Sequence, residues 1–284
     1  MRRALAEDLG DDRLGSGGDV TSTLALGTGR KGAGRIFAKA DGVLAGMACA
    51  VRCFELLDSS CELEVVLDDG SSFAPGDDVL RFRGDMIALL SAERTALNFL
   101  QRLSGVATKT RRFVDLVAGT GASILDTRKT TPGLRHVEKA AVLAGGGVNH
   151  RIGLFDQVLL KENHFGFARP ESIEQVVARC CEGHDRPVVA EARTVDEALA
   201  AVRGGASVIL LDNFEAGDPL RAAVAAVQDA AQAVGRTVQT EASGGIGEHN
   251  VRAYAESGVD RISIGALTHS AVAVDLSMIV EGVQ

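Results

Sequence analysis

The sequence predicts an α/β protein with two regimes, the second of which is a parallel α/β barrel or nearly one. The first part of the 284-residue chain mixes short strand-like runs with turns. A long helical pattern follows, from Ile87 to about Val117. Six short apolar runs then alternate with helical stretches, an arrangement that is typical of parallel strands joined by crossover helices.

The first regime opens with the helical pattern RRALAEDLG, and strand-like runs follow in RIFAKADGVLAG and CELEVVLDDGSSFAPGDDVLRFRG. The Pro-Gly pair in FAPGDD marks a turn. Apolar residues at helical spacing support the long helix. They are Leu90, Leu97, Leu100, Leu103 and Val106.

The strand-like runs of the second regime are SILDT, QVLLKEN, PVVAEA, SVILLDN, TVQTEAS and DRISIGA. Almost every one ends in a polar residue, although buried parallel strands should be apolar along their length. Because the carboxyl ends of barrel strands share one face, this pattern predicts an active site there. Helix caps are the alternative, and they do not explain a Lys or a Glu. The residues are Asp126, Lys161, Glu191, Asp212, Glu241 and Ser263.

The composition limits the partners of this chain. A formal net charge of −8 argues against general affinity for nucleic acids or membrane surfaces, so any anion site must be local. No apolar run is long enough to span a bilayer and the N-terminus lacks a signal-peptide core, so we expect a cytoplasmic protein. The five cysteines lack paired CxxC spacing, which argues against a disulfide framework and a zinc site.

Two loops concentrate positive charge. DTRKTTPGLR follows a strand directly, so Arg128 and Lys129 lie in a βα loop, and Pro132 suits the first turn of the next helix. AGGGVNHRIG places His150 and Arg151 after three glycines, which permit close approach of a ligand to the backbone. Arg binds a planar carboxylate bidentately and Lys acts as a point charge, so these loops predict a dianion site. A solvated charged turn is the alternative for either loop alone.

The later strands add carboxylates and Gly-rich loops. Lys161 in LLKENH suits a phosphate or a Schiff base. Glu191 and Asp212 lie among cations and suit Mg²⁺, which takes one or two protein carboxylates together with substrate phosphates. EASGGIG and SIGALTHS are typical of late βα loops that bind phosphate through backbone N–H groups. The residues of this phosphate cradle are Ser243, Gly244, Gly245, Gly265 and Ala266.

A face with these groups suits transfer of a phosphorylated sugar with a pyrophosphate leaving group. Two other signals are set aside. GTGRKG fits the dinucleotide-binding spacing but precedes a strand rather than a helix. Asp8 and Asp19 have the charge pattern of solvated turns.

A set of motifs along nearly the whole chain resembles the quinolinate phosphoribosyltransferase family (nicotinate-nucleotide pyrophosphorylase, carboxylating). The motifs are EDLG with GDVTS, AERTALNFLQRLSGVAT, DTRKTTPGLR, GGGVNHRIGL, LLKENH, LLDNF, SGGI and GVDRISIGALTHS. The resemblance implies an N-terminal open-faced α/β sandwich at 1–112 and an incomplete parallel α/β barrel at 113–268. It also implies that a segment at 269–284 packs back on the N-terminal domain.

The implied reaction converts quinolinate and phosphoribosyl pyrophosphate to nicotinate mononucleotide, pyrophosphate and CO₂ with Mg²⁺. The resemblance implies a homodimer, with Arg94 donated across the interface. It implies that Arg128, His150 and Arg151 bind the quinolinate carboxylates. Lys129 and Lys161 match lysines near the carboxylate and pyrophosphate groups. Glu191 and Asp212 match the acidic pair at the ribose and Mg²⁺, and the SGG and GA loops match the 5′-phosphate site.

One segment departs from the family pattern, which has an acidic-apolar-acidic run and a further Asp near the third barrel strand. Here the segment reads VVAEART, with Val189 and Arg193 at two of those places, while Glu191 is retained. Three alternatives stay open: a phosphoribosyltransferase for another carboxylated heterocycle, a Schiff-base lyase that uses Lys161, and a non-catalytic effector-binding barrel.

Overall fold

The computed structural model describes residues 1–10, 14 and 18–282, which form two compact units. One unit comprises Met1–Lys109, Val137–Gly146 and a segment that begins at Ala271. The other comprises Thr110–His136 and Gly147–Ser270. The predicted boundaries at 112 and 268 stay a prediction, and the helix-forming insert Val137–Gly146 was not expected in the first unit.

The first unit has a four-stranded sheet in the order β12-β1-β5-β3 and a two-stranded ladder of β2 and β4. Its strands are β1 (Lys31–Ala38), β2 (Gly42–Val43), β3 (Glu62–Val65), β4 (Ser72–Phe73), β5 (Asp78–Asp85) and β12 (Leu276–Gly282). All its strand pairs are antiparallel. Its helices are α1 (Arg2–Leu9), α2 (Val20–Leu26), α3 (Met47–Leu57) and parts of α4 (Met86–Leu116) and α5 (Arg135–Ala144).

Apolar packing explains the sheet-and-helix layer of this unit. Phe54 on α3 stacks on Phe82 of β5, with ring centroids 5.2 Å apart. Gly34 in β1 leaves room for its neighbours, because a Cβ there would lie 2.1 Å from the carbonyl oxygen of Ile279 on β12. Two acidic residues are not the solvated turns expected. Asp8 accepts a hydrogen bond from Thr95 Oγ1, and Asp19 caps α2 at Ser22 N and accepts from Ser91 Oγ.

The long helix predicted from Ile87 is present as α4. It begins after Asp85, whose Oδ1 accepts hydrogen bonds from the backbone N–H groups of Ile87 and Ala88 at 3.1 Å each. The buried side chains Leu97 and Leu100 confirm the amphipathic pattern. None of the helices in the described part of the chain is long and apolar enough to cross a bilayer.

The second unit is a six-stranded parallel sheet in the order β6-β11-β10-β9-β8-β7. Its strands are β6 (Ser123–Leu125), β7 (Val158–Leu160), β8 (Val188–Ala192), β9 (Val208–Asp212), β10 (Gln239–Ser243) and β11 (Arg261–Ser263). Its helices include α6 (Glu162–Phe167), α7 (Ile173–Gly183), α8 (Val195–Gly204), α9 (Asp218–Ala233), α10 (Val251–Glu256) and α11 (Ala266–His269). The six predicted strands and the α/β class are confirmed.

The edge strands of this sheet remain apart. β6 is extended by one isolated parallel bridge, between Leu125 and Val148. No ladder among the described residues joins β6 or Val148 to β7, so the ring of strands is left incomplete. The expectation that Pro132 starts the next helix is wrong, because α5 begins at Arg135 and Pro132 lies in a turn closed by Leu134 N and Thr131 O at 3.0 Å.

Candidate active site

A cavity of about 740 Å³ lies at the carboxyl ends of the strands of the second unit. Most of its lining follows β6, Val148, β7, β9, β10 and β11. The cavity therefore collects loops that are far apart in the chain, as the polar strand ends predicted. Of those six polar ends, Lys161, Asp212, Glu241 and Ser263 line the cavity, whereas Asp126 and Glu191 lie outside the lining.

The loop after β6 presents Arg128 and Lys129 to the cavity. The third cation of the motif does not line it. Arg135 instead braces the loop, because its guanidinium donates to Thr130 Oγ1 at 3.0 Å and to the carbonyl oxygen of Arg128 at 3.3 Å. Thr127 Oγ1 also accepts from the backbone N–H of Lys129 at 3.1 Å. Arg128 and Lys129 are thus the charges of the motif that can bind a ligand, and Arg135 holds their loop in place.

Arg151 lies at the same end of the cavity as Arg128. Burial lowers the pKa of the Arg151 guanidinium, and the charge of Arg128 lowers it further. The side chain donates to the carbonyl oxygen of Gln157 at 3.3 Å. The two arginines predicted to act together are therefore brought to one place, where an anion would relieve their mutual repulsion.

His150 connects this end of the cavity to a buried carboxylate. The backbone N–H of Arg151 donates to His150 Nδ1 at 2.8 Å, so the ring carries its proton on Nε2, which lies 3.3 Å from Glu241 Oε1. The backbone N–H of His150 donates to the fully buried Asp126 at 2.8 Å. Asp126 therefore acts beneath the site by holding the His150 backbone.

Glu241 is wholly buried in β10 and was not among the predicted site residues. Its Oε2 lies 3.0 Å from Nε of Arg261, its neighbour on β11, although the angles at these buried atoms are poor for hydrogen bonds. Burial alone would raise the pKa of the Glu241 carboxyl, but contact with His150 and the charge of Arg261 lower it below its ordinary value. Its position among the polar strand ends was the signal that pointed to it.

A second part of the lining, which we call the acidic end, carries Asp212 beside Lys161. Lys161 lines the cavity and its Nζ lies 2.8 Å from Oε2 of Glu191, which is 8% exposed. The backbone N–H of Glu162 donates to the other oxygen of Glu191 at 3.2 Å. Burial raises the pKa of the Asp212 carboxyl, and the charge of Glu191 raises it further, while Lys161 opposes the shift.

This acidic pair passes a test of fit for Mg²⁺. Burial is the largest cause of the raised pKa of Asp212 and the charge of Glu191 adds to it, so a cation beside Asp212 would stabilise its ionised form. Among the described residues no cluster of three or more His, Cys, Asp or Glu side chains is placed to hold a metal. Mg²⁺ needs only one or two protein carboxylates, because waters and phosphate oxygens fill most of its shell.

The Gly-rich loops form a further part of the lining. Ser243, Gly244 and Gly245 follow β10, and Gly265 and Ala266 begin α11, all lining the cavity. Gly244 and Gly245 have φ of 100° and 62°, a conformation that glycine adopts without strain. Thr268 Oγ1 donates to the carbonyl oxygen of Lys129 at 2.8 Å and so ties α11 to the cationic loop.

Other lining residues were missed because their side chains are apolar or common in loops. Leu159 and Leu210 give the cavity an apolar floor, which suits the face of a ring. Asn213 follows Asp212 with a φ of 58°, an unusual conformation for a residue other than glycine. A sequence pattern does not reveal backbone strain of this kind.

Three further residues of the sequence analysis lie outside the cavity lining. Arg94 is exposed on the part of α4 that belongs to the first unit. Arg193, one of the two departures noted in the sequence, pairs with Glu162 at 2.6 Å, and its backbone N–H donates to Glu197 at 2.7 Å. The other departure, Val189, is fully buried in the sheet core with Val208 and Leu210.

Comparison with known proteins identifies the family. The model of the quinolinate phosphoribosyl transferase C-terminal domain matches residues 106–279, and that of the N-terminal domain matches residues 19–104. A probable nicotinate-nucleotide pyrophosphorylase [carboxylating] from Bacillus subtilis is 39% identical over 92% of this chain and 87% of its own.

Solved structures agree with this match. NadC from Streptococcus pyogenes superposes with a TM-score of 0.90 at 32% identity, over 100% of this chain and 95% of its own. The nicotinate-nucleotide pyrophosphorylase from Francisella tularensis gives 0.89 at 34% identity, over 99% of this chain and 94% of its own. The resemblance stated from the motifs is confirmed, and the chain belongs to the quinolinate phosphoribosyltransferase family.

Proposed function

We propose that this chain transfers phosphoribosyl from phosphoribosyl pyrophosphate to quinolinate with decarboxylation, giving nicotinate mononucleotide, pyrophosphate and CO₂ for NAD biosynthesis. Its relatives carry this activity in their names. The observation that supports it most directly is the division of one cavity into a cationic end with two arginines and an acidic end with Asp212 beside Lys161. A dicarboxylate and a metal-bound pyrophosphate need these two environments together.

Quinolinate binds at the cationic end. Arg128 and Arg151 bind its carboxylates, and Lys129 adds a charge beside them. His150 completes the group, and its ring accepts a hydrogen bond from the Arg151 backbone. The apolar floor from Leu159 and Leu210 contacts the pyridine ring. Excluding water there strengthens each charge interaction.

Phosphoribosyl pyrophosphate spans the rest of the cavity. Backbone N–H groups of the Ser243–Gly245 loop and of Gly265 and Ala266 bind its 5′-phosphate. Lys161 binds the pyrophosphate. Asp212 and Glu191 would hold Mg²⁺, directly or indirectly, and this ion supplies neutralisation of the leaving group.

The chemistry follows from positioning and charge. The ring nitrogen of quinolinate attacks C1 of the ribose with its lone pair, so no general base is required. Asp212 stabilises the positive charge that develops on the ribose as pyrophosphate leaves. The pyridinium nitrogen then draws the electrons of the adjacent C–CO₂⁻ bond, CO₂ departs, and the carbanion left at that ring carbon takes a proton from water to give nicotinate mononucleotide.

The Schiff-base alternative fits the site less well. A Schiff-base lysine must attack as a neutral amine, whereas Lys161 Nζ is ion-paired with Glu191 at 2.8 Å. A spectrophotometric assay of nicotinate mononucleotide tests the proposal. Product should need quinolinate, phosphoribosyl pyrophosphate and Mg²⁺. Equal turnover of nicotinate, which has one carboxylate, would contradict the assignment of two arginines to a dicarboxylate.

We also propose a homodimer in which Arg94 acts in the partner's active site. Mixing two inactive variants, Arg94→Ala and Arg128→Ala, tests this arrangement. A heterodimer would hold one intact composite site, so random exchange of subunits should restore about one quarter of wild-type activity. No recovery after demonstrated subunit exchange would show that Arg94 acts within its own chain or not at all.

A further inference from the structure

Asn213 has a backbone conformation that few residues other than glycine adopt. Its φ of 58° is in the left-handed region, which it shares with only one other non-glycine residue, Leu14, in the described part of the chain. Such conformations are disfavoured and concentrate at functional sites. Asn213 also lines the cavity, immediately after Asp212 at the end of β9.

The side chain of Asn213 connects the acidic end of the cavity to the phosphate loop. Its Nδ2 donates to Oδ2 of Asp212 at 2.7 Å. Because an ionised carboxylate only accepts hydrogen bonds, the amide nitrogen must face Asp212 and the amide oxygen must face away. The backbone N–H of Asn213 donates to the carbonyl oxygen of Ser243 at 3.0 Å.

The amide oxygen occupies space that only a glycine leaves open. A Cβ at Gly244 would lie 2.2 Å from Asn213 Oδ1, and Gly244 itself has a φ of 100°. The Asn213 amide therefore contacts the Asp212 carboxylate through its nitrogen, and its oxygen packs against Gly244 of the loop. A left-handed residue is what allows a single side chain to reach both.

We propose that Asn213 is a positioning residue that fixes the Asp212 carboxylate relative to the Ser243–Gly245 loop. This inference rests on the proposed function, in which Asp212 stabilises the ribose and the loop binds the 5′-phosphate of the same substrate molecule. Asn213 itself touches neither reacting atom. It sets the distance between the two groups that hold phosphoribosyl pyrophosphate.

Three substitutions separate this role from a purely structural one. Asn213→Gly removes the amide and relieves the backbone strain, whereas Asn213→Ala removes the amide and keeps the strain. Asn213→Asp keeps the size and the tolerance of this conformation but loses the donor. We expect kcat to fall about 10²-fold in all three, since a misplacement of about 1 Å has this effect. The KM for quinolinate should change less than about twofold, because Arg128 and Arg151 are untouched.

Thermal unfolding provides the structural readout. The melting temperature should fall in Asn213→Ala and stay at or above the wild-type value in Asn213→Gly. Wild-type kcat in Asn213→Gly together with a low kcat in Asn213→Ala would overturn the inference, since activity would then follow backbone strain alone.

Calorimetric titration with phosphoribosyl pyrophosphate and Mg²⁺ tests the inference without turnover. Asn213→Gly should bind about tenfold more weakly than wild type, and equal affinity would count against positioning. A wild-type protein that binds this substrate but makes no nicotinate mononucleotide would overturn the proposed function. The comparison of affinities would still decide the role of Asn213.

Discussion

The cationic and acidic ends of the cavity each contain a charged side chain whose pKa is shifted by burial and by a neighbouring like charge. At the cationic end, burial and the charge of Arg128 lower the pKa of Arg151. At the acidic end, burial and the charge of Glu191 raise the pKa of Asp212. Each end crowds like charges that the fold holds in place. Lys161 opposes the shift at Asp212 and Asp156 opposes the shift at Arg151, so the protein neutralises each end only in part and each suits a ligand of opposite sign.

Removing a charge from the cationic end should have the largest effect. Arg128→Ala should reduce kcat/KM for quinolinate by about 10³-fold, because a buried carboxylate of the substrate loses its bidentate partner. Circular dichroism should show an intact fold. Near-wild-type affinity for quinolinate in this variant would contradict the assignment of the cationic end to quinolinate.

A matched control is Arg52→Ala. Arg52 pairs with Glu55 on the exposed face of α3, at 3.0 Å, and lies in the first unit. Exposed pairs of this kind contribute little to stability. Turnover and melting temperature should stay near the wild-type values.

Neutralising Asp212 at the acidic end should raise the stability of the fold and lower the activity. A raised pKa means that ionisation of Asp212 destabilises the folded state as pH rises from the ordinary value of 3.8 through the raised value. At neutral pH, Asp212→Asn should therefore raise the melting temperature while kcat falls about 10²-fold. The stability gain should vanish below pH 3.8, where the wild-type side chain is already neutral. A lower melting temperature at pH 7 would show that Lys161 outweighs Glu191.

Glu241 lies beside His150 and Arg261, and its substitution should act mainly on stability. The lowered pKa means that this carboxylate stabilises the fold above the ordinary value of 4.5 and that the contribution is lost as pH falls through the lowered value. Glu241→Gln leaves the partly buried Arg261 beside a neutral group and should cost about 2–4 kcal/mol at pH 7. Denaturant titrations at pH 7 and pH 3 should show a smaller difference between variant and wild type at the lower pH.

Gly265→Ala should have the smallest effect. A Cβ at Gly265 would meet Cδ of Lys129 at 2.7 Å, and a flexible lysine can move away. We expect kcat/KM for phosphoribosyl pyrophosphate to fall about threefold. A loss as large as that of Arg128→Ala would mean that Lys129 is held rigidly and that the cationic end extends into the phosphate loop.

The elements of the fold were predictable because their patterns are local. The six strands of the second unit are short apolar runs between helical stretches, and α4 has apolar residues on one face. The residues that line the cavity were mostly predictable for a similar reason, since polar side chains at strand ends such as Lys161 and Asp212 violate the apolar pattern of a buried strand.

The remaining features depend on three-dimensional contacts that no local pattern reveals. Glu191 was expected in the cavity but lies outside its lining, where it is 8% exposed and pairs with Lys161. Arg135 looks like a third binding charge and instead braces the loop of Arg128. The left-handed Asn213 and the insert Val137–Gly146 in the first unit are likewise set by packing at a distance.

The pairing of β1 with β12 has a consequence for synthesis of the protein. Ala38 pairs with Leu276, so one edge of β1 gains its neighbour only after the ribosome has added roughly 240 more residues. At about 5–20 residues per second this takes roughly 10–50 s. β1 can pair with β5 long before that, but its other edge stays open until β12 is made. An unpaired strand edge of this kind is a site where another chain can pair, so the nascent protein carries this edge for the whole interval.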